Sequence, residues 1–128
     1  MKNNGTRLMI VDDSNIIRNR IARAVEKGLI ADLIVVGLAK NGQDALQLCQ
    51  ERRPDVVTMD LTMPEMDGIR CIENLVKMRP GVRILVISAL KDKATALQAL
   101  QKGADGFVCK PFTDEQLADA FNDLLERV

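Results

Sequence analysis

Two adjacent aspartates, Asp12 and Asp13, directly follow four apolar residues, and a third aspartate, Asp60, follows another apolar run. Three carboxylates brought together would repel one another, which raises the pKa of at least one of them unless a cation neutralises the cluster. A hard divalent ion such as Mg²⁺ prefers oxygen ligands, and one or two direct carboxylates suit it. The pattern therefore predicts a shallow magnesium site.

Asp60 has a second candidate role, because a carboxylate can attack phosphorus to give an aspartyl phosphate. With the other two acids holding the ion, Asp60 is available as the nucleophile. Lys110 is a compact cation that can pair with phosphoryl oxygens, and the Ser88 hydroxyl can donate a hydrogen bond to one. Each residue alone is more often a structural or solvated group, so the hypothesis depends on their occurring together.

Five runs rich in valine, isoleucine and leucine predict the strands that must position these residues. Most of the runs are continuously apolar, as expected of parallel strands that are buried on both faces. Helical patterns alternate with them, which predicts an α/β fold: a doubly wound, five-stranded parallel sheet with helices on both faces. The predicted strands span residues 7–11, 33–39, 55–59, 82–88 and 106–109.

Caps, glycines and prolines delimit the predicted helices. The fifth begins with a capping box formed by Thr113 and Gln116 and carries one apolar stripe. The first four run from Ser14 to near Gly28, from Asn41 to before Pro54, from Pro64 to before Pro80, and from about Lys91 to Lys102.

Ligands of an open parallel sheet bind beyond the carboxyl ends of the strands, where the strand order reverses. If the order is 2-1-3-4-5, the first and third strands are neighbours, and the three aspartates converge. Ser88 and Lys110 end the fourth and fifth strands at the same edge. Because polar or charged residues suited to this chemistry end all four of these strands, we interpret them as one site rather than as a coincidence.

The composition excludes several classes of function. The 18 basic and 18 acidic residues balance, so the chain lacks the basic footprint of a nucleic-acid binder or a polybasic membrane anchor. The absence of histidine rules out a Ser-His-Asp triad and an imidazole zinc site. No apolar run could span a bilayer or act as a signal peptide, which predicts a cytoplasmic protein.

The length of 128 residues suits one compact domain over residues 1–128. Three cysteines, Cys49, Cys71 and Cys109, form no C-x-x-C pair, as expected of reduced thiols. Each lies in an apolar pattern, so we interpret them as small core residues rather than as redox sensors.

The sequence also resembles the receiver domains of two-component response regulators over residues 7–128. The resemblance is carried by the pair Asp12-Asp13, by MDLTMPEMDG at residues 59–68, by Ser88-Ala89, and by GADGF at 103–107 leading into Lys110-Pro111. Among receiver domains, its stand-alone length and the phrase VTMDLTMPEMDG are most similar to chemotaxis regulators of the CheY type, which share the flavodoxin-like strand order.

Carried over position by position, the resemblance implies that Asp60 accepts a phosphoryl group from a histidine kinase. Asp13, Asp60 and the backbone carbonyl of Thr62 would bind Mg²⁺ directly, and Asp12 would hold a metal-bound water. Lys110 would contact the phosphoryl group.

The resemblance also implies a switch. Ser88 would move to hydrogen-bond the phosphoryl group, Phe107 would turn into the vacated space, and the Lys110-Pro111 bond would be cis. Phosphorylation would thereby favour one of two pre-existing arrangements. Phe107 stands where tyrosine is frequent, and Thr62 and Leu90 occupy positions that tune phosphoryl loss.

The implied readout is the surface of the fourth helix, fifth strand and fifth helix of a monomer, binding a flagellar motor switch. Ala94, Leu97 and Ala99 offer small and apolar side chains there, although an ordinary core stripe explains Leu97 and Leu100 equally well. The chain would not be an enzyme in the usual sense, but a phosphoacceptor that assists its own phosphorylation and dephosphorylation.

Three alternatives stay open. A phosphorelay intermediate that passes the group to a histidine phosphotransfer protein would use the same residues. A Mg²⁺-dependent phosphohydrolase would use an aspartate nucleophile, but Thr62 stands where such hydrolases commonly place a general acid. A nucleotide or flavin binder is disfavoured, because the loop Asp12-Asp13-Ser14 lacks glycines and would repel a pyrophosphate.

Overall fold

The computed structural model of the chain describes residues 5–30, 32–61, 68–89 and 93–126. Five strands alternate with five helices, as predicted. The strands are β1 (Thr6–Val11), β2 (Leu33–Ala39), β3 (Val56–Asp60), β4 (Arg83–Ala89) and β5 (Gly106–Lys110). The helices are α1 (Asn15–Glu26), α2 (Gly42–Arg52), α3 (Gly68–Met78), α4 (Lys93–Lys102) and α5 (Asp114–Glu126).

The strands form one parallel sheet in the order β2-β1-β3-β4-β5, which confirms the predicted order. Its two faces carry separate hydrophobic cores. One core packs side chains of α2, α3 and α4 against the sheet, and the other packs those of α1 and α5. Because helices cover both faces, the strands are apolar in consecutive positions, and all five residues of β3 are buried.

Strands β3, β4 and β5 each end one residue later than predicted, and the added residues are two candidate site residues and the neighbour of a third. Asp60 pairs with Ile87 as the last residue of β3, and Ala89 pairs with Lys110 at the ends of β4 and β5. Strand hydrogen bonds use backbone groups, which any side chain permits. A strand can therefore continue past the point where its run of apolar side chains stops. The polar residues are therefore held in the ladder itself.

The helix caps agree with the sequence. Ser14 Oγ accepts the N–H of Ile17 at 3.3 Å at the start of α1. At the start of α5, the Thr113 N–H donates to Gln116 Oε1 at 2.9 Å and the Gln116 N–H donates to Thr113 Oγ1 at 3.0 Å, which confirms the capping box. Helices α3 and α4 begin at Gly68 and Lys93, and the earlier starts predicted for them lie outside the described residues.

The inner face of α4 differs from the core stripe considered above. Ala96 and Ala99 are buried, whereas Leu97 is 62% and Leu100 39% exposed. A core role for the two leucines is therefore wrong, and so is a surface role for Ala99. The cause is the close approach of α4 and α3. A Cβ on Gly103, just after α4, would come within 2.8 Å of a methyl group of Val76 on α3, so small residues face inward.

The cysteines agree with the core interpretation in two of three cases. Cys49 and Cys71 are buried, while Cys109 on the edge strand β5 is half-buried. Burial raises the pKa of the Cys49 thiol, and the positive charge of Arg79 opposes this in part. A raised pKa keeps the thiol protonated at neutral pH, which suits a packing role. Separately, none of the described helices is long and apolar enough to cross a membrane.

One buried hydroxyl in the centre of the sheet lacks a partner. Thr58 is 1% exposed between Ile10 and Leu85, and within the described part of the chain its Oγ1 has no hydrogen-bond partner. Since such a group loses its bonds to water without compensation, Thr58→Val is expected to raise the free energy of unfolding by about 1 kcal/mol. Urea unfolding measures this change.

A matched substitution separates the burial effect from the intrinsic change of side chain. Thr95 is half-exposed on α4, so Thr95→Val should change the stability by less than about 0.5 kcal/mol. A loss of stability in Thr58→Val would mean that the hydroxyl is hydrogen-bonded in solution.

Candidate functional site

Three carboxylates converge at the carboxyl edge of the sheet, beyond the ends of the neighbouring strands β1 and β3. Asp12, Asp13 and Asp60 each offer an oxygen, and these oxygens all lie within 4.8 Å of one another. Asp12 and Asp60 are each 2% exposed, whereas Asp13 is exposed. The cluster predicted from the sequence is therefore assembled, with two acids buried and one facing solvent.

Asp12 is held at both carboxylate oxygens. Its Oδ1 accepts the N–H of Ser14 at 2.9 Å, and its Oδ2 lies 3.1 Å from Lys110 Nζ. Its backbone carbonyl also accepts a hydrogen bond from Arg18. The residue is thus fixed from three sides, while the neighbouring Asp13 remains open to solvent.

Lys110 bridges the two buried acids. Its ammonium lies 3.1 Å from Asp12 and 3.7 Å from Asp60 Oδ1, with the lysine side chain 25% exposed. The position follows from the register, since Lys110 pairs with Ala89 at the end of β5. One ammonium among three carboxylates leaves an excess of negative charge in a partly buried place. This all-oxygen donor set suits a hard divalent cation.

Glycine is required where α3 begins against the end of β3. The Gly68 N–H donates to the Leu61 carbonyl at 3.2 Å, and a Cβ on Gly68 would lie 2.6 Å from Leu61 Cα and 2.7 Å from the Asp60 carbonyl oxygen. The backbone of the candidate nucleophile is therefore packed directly against this helix. Sequence reasoning used Gly68 only as part of a motif, because the close approach is a tertiary feature.

The two predicted switch residues lie on adjacent strands. Ser88, on β4, is 1% exposed and pairs with Cys109. Phe107, on β5, is half-buried and packs partly against the core that α2, α3 and α4 cover. The Lys110-Pro111 peptide bond is cis, as the resemblance implied. The predicted carbonyl ligand Thr62 and the tuning residue Leu90 lie outside the described residues.

Two arginines of α1 were missed by the sequence analysis. Arg18 donates to the Asp12 carbonyl and to Asn15 Oδ1. Arg20 lies over the ring of Phe112, just after the strand that carries Lys110. Arginines on the surface of an amphipathic helix carry no signal that tells which of them turns toward a neighbouring loop.

Comparison with known proteins agrees with this geometry. The family model for the response regulator receiver domain matches residues 8–122. The chemotaxis protein CheY of Thermotoga maritima is 39% identical over 118 residues, which cover 92% of this chain and 96% of that protein. CheY of Bacillus subtilis is 37% identical over 119 residues, covering 93% and 97% of the two chains.

Solved structures share the fold. The chemotaxis protein CheY4 of Vibrio cholerae superposes with a TM-score of 0.85 at 25% identity, covering 94% of this chain and 99% of that one. The receiver domain of AraT from Geobacillus stearothermophilus gives a TM-score of 0.88 at 27% identity, covering 97% and 95%. With the matched family residues spanning nearly the whole chain, this protein belongs to the response regulator receiver domain family of two-component signalling and is a homologue of the CheY proteins.

Proposed function

We propose that this chain is a chemotaxis response regulator that accepts a phosphoryl group on Asp60 from a histidine kinase in a Mg²⁺-dependent reaction. The observation that carries the proposal is the convergence of Asp12, Asp13 and Asp60 with Lys110 at one edge of the sheet. Asp60 is the acceptor because it ends the central strand, which pairs with β1 up to Met59 and with β4 through Asp60 itself.

In the transfer, a carboxylate oxygen of Asp60 forms a bond to phosphorus while the bond between phosphorus and the donor's leaving atom breaks. The leaving group departs with the electron pair of that bond. Lys110 lies close enough to Asp60 to pair with the phosphoryl oxygens after a small side-chain movement. The same side chains would assist the later attack of water on the aspartyl phosphate.

Bound Mg²⁺ would neutralise the charge that accumulates between the carboxylates and the phosphoryl oxygens. Asp13 and Asp60 would bind the ion directly together with the Thr62 carbonyl. The observed contacts support a separate role for Asp12, because both of its carboxylate oxygens already have partners in Ser14 and Lys110. Asp12 would therefore reach the ion through a water molecule, as the resemblance implies.

The switch would connect this site to the surface of α4, β5 and α5. The Ser88 hydroxyl would turn to the phosphoryl group, and Phe107 would turn into the space that it leaves. Phe107 is half-buried, which supports a movement between two packed arrangements over one that exposes the ring fully.

The output would be a protein–protein contact on that surface. Ala94, Leu97 and Leu100 are exposed at three-residue spacing on α4, an apolar stripe that a partner could cover. The CheY of Borrelia burgdorferi, 27% identical with a TM-score of 0.87, was solved in a complex with CheX, BeF₃ and Mg²⁺. We propose a flagellar motor switch as the target of this chain, which would act as a cytoplasmic monomer.

The test is phosphorylation by acetyl phosphate, followed by intact mass. The protein with Mg²⁺ should gain a single phosphoryl group, and peptide mapping after borohydride reduction of the acyl phosphate should place it on Asp60. Omitting Mg²⁺ should reduce the rate of adduct formation by about 100-fold or more, since the charge stabilisation is lost. An adduct on a different residue, or equal rates with and without Mg²⁺, would contradict the proposal.

A further inference from the structure

Arg20 ties helix α1 to the turn that follows β5. Its guanidinium carbon lies 4.7 Å from the centroid of the Phe112 ring, and its Nε lies 3.9 Å from Asp114 Oδ1. Phe112 is 3% exposed and belongs to the core that α1 and α5 cover, so the ring is a fixed platform. A guanidinium over an aromatic face is attracted to it even when partly solvated.

The same turn determines where Lys110 stands. Lys110 is the last residue of β5, two positions before Phe112, and its ammonium reaches both buried acids of the site. Because β5 lies at the edge of the sheet and pairs, among the described strands, with β4 alone, its carboxyl end is held by one neighbouring strand. The packing of Phe112 and its contact with Arg20 supply restraint on that side.

We propose that Arg20 is a positioning residue for the phosphoryl transfer to Asp60. By holding Phe112 and Asp114, it fixes the turn after β5 and thereby keeps the Lys110 ammonium where it can meet the phosphoryl oxygens. The inference rests on the proposed function. It assigns to α1 a part in catalysis that is separate from the metal cluster, which Arg20 does not touch.

The first test is Arg20→Met, which keeps an unbranched apolar stem and removes the cation. At saturating Mg²⁺, the rate of phosphorylation by acetyl phosphate should fall by about threefold to tenfold. The dissociation constant for Mg²⁺, measured by calorimetry, should stay within about twofold of the original, since no metal ligand is disturbed. Arg20→Lys, which returns a cation to the ring, should recover part of the rate.

The decisive test is a double-mutant cycle with Lys110→Met. If Arg20 acts through Lys110, Arg20→Met should have no further effect on the residual rate once the lysine is gone. Arg23→Met serves as the charge control, because Arg23 lies on the exposed side of the same helix and lines the same surface groove as Arg20. Its rate should match that of the unaltered protein.

Three results would overturn the inference: an unchanged rate in Arg20→Met, an equal slowing of the protein with and without Lys110, or an equal slowing by Arg23→Met. The last would mean that the helix merely attracts the anionic donor. These results differ from a failure of the proposed function, in which the unaltered protein itself would gain no phosphoryl group on Asp60.

Discussion

Asp60→Asn is expected to abolish the phosphoryl adduct, because an amide oxygen is a far weaker nucleophile than a carboxylate and cannot form a stable acyl phosphate. The same change should weaken Mg²⁺ binding, since the cluster loses one of its three negative charges. Intact mass after incubation with acetyl phosphate measures the first effect, and calorimetric titration with Mg²⁺ measures the second.

The control for this substitution is Asp119→Asn, which makes the same chemical change on the exposed side of α5. It should be phosphorylated at the rate of the unaltered protein. Circular dichroism should show that both variants keep the helical content of the parent. An adduct that persists in Asp60→Asn at the original rate would assign the acceptor role to a different side chain.

Gly68→Ala is expected to lower the free energy of unfolding by about 2 to 3 kcal/mol and to slow phosphorylation. Alanine is the better helix former by about 1 kcal/mol, so helix propensity alone predicts the opposite sign. The steric clash outweighs this gain, because the new methyl group would lie 2.6 Å from Leu61 Cα and 2.7 Å from the Asp60 carbonyl oxygen. Both neighbours are backbone atoms, which cannot turn aside as a flexible side chain can.

Gly37→Ala is the matched comparison. A Cβ at Gly37 would meet its nearest neighbour, a Leu48 methyl group, at 3.5 Å, which is an ordinary contact. Its stability, measured by urea unfolding, should therefore change by less than about 1 kcal/mol. Equal stability in Gly68→Ala and the parent would mean that α3 can shift away from the end of β3 without cost.

The sequence predicts the framework of this protein because its strands are buried on both faces. A continuous apolar run is then the expected pattern, and it locates β2 with both of its ends correct. The ends of β3 and β5 were missed by one residue, since Asp60 and Lys110 pair through their backbones in spite of their charge. The apolar pattern depends on which side chains are buried, whereas the hydrogen bonds between strands depend on the backbone.

The convergence of the acids could also be predicted, since it follows from strand order and from their positions at strand ends. The contacts of Arg20 and Gly68 could not, because both depend on the distance between packed elements, which the sequence pattern does not give. The inner face of α4 was ambiguous for a related reason. Alanines and leucines are both apolar, and the separation of the packed helices decides which of them turns inward.

The position of β3 at the centre of the sheet affects how firmly Asp60 is held. Asp60 ends a strand that lies between two others, and its own backbone pairs with Ile87 of β4, whereas Lys110 and Phe107 lie on β5, which among the described strands pairs with β4 alone. Local opening costs more free energy in the middle of a sheet than at its border. The proposed phosphoacceptor thus lies on the central strand of the sheet, and the proposed switch residue Phe107 lies on an edge strand, where rearrangement breaks fewer hydrogen bonds.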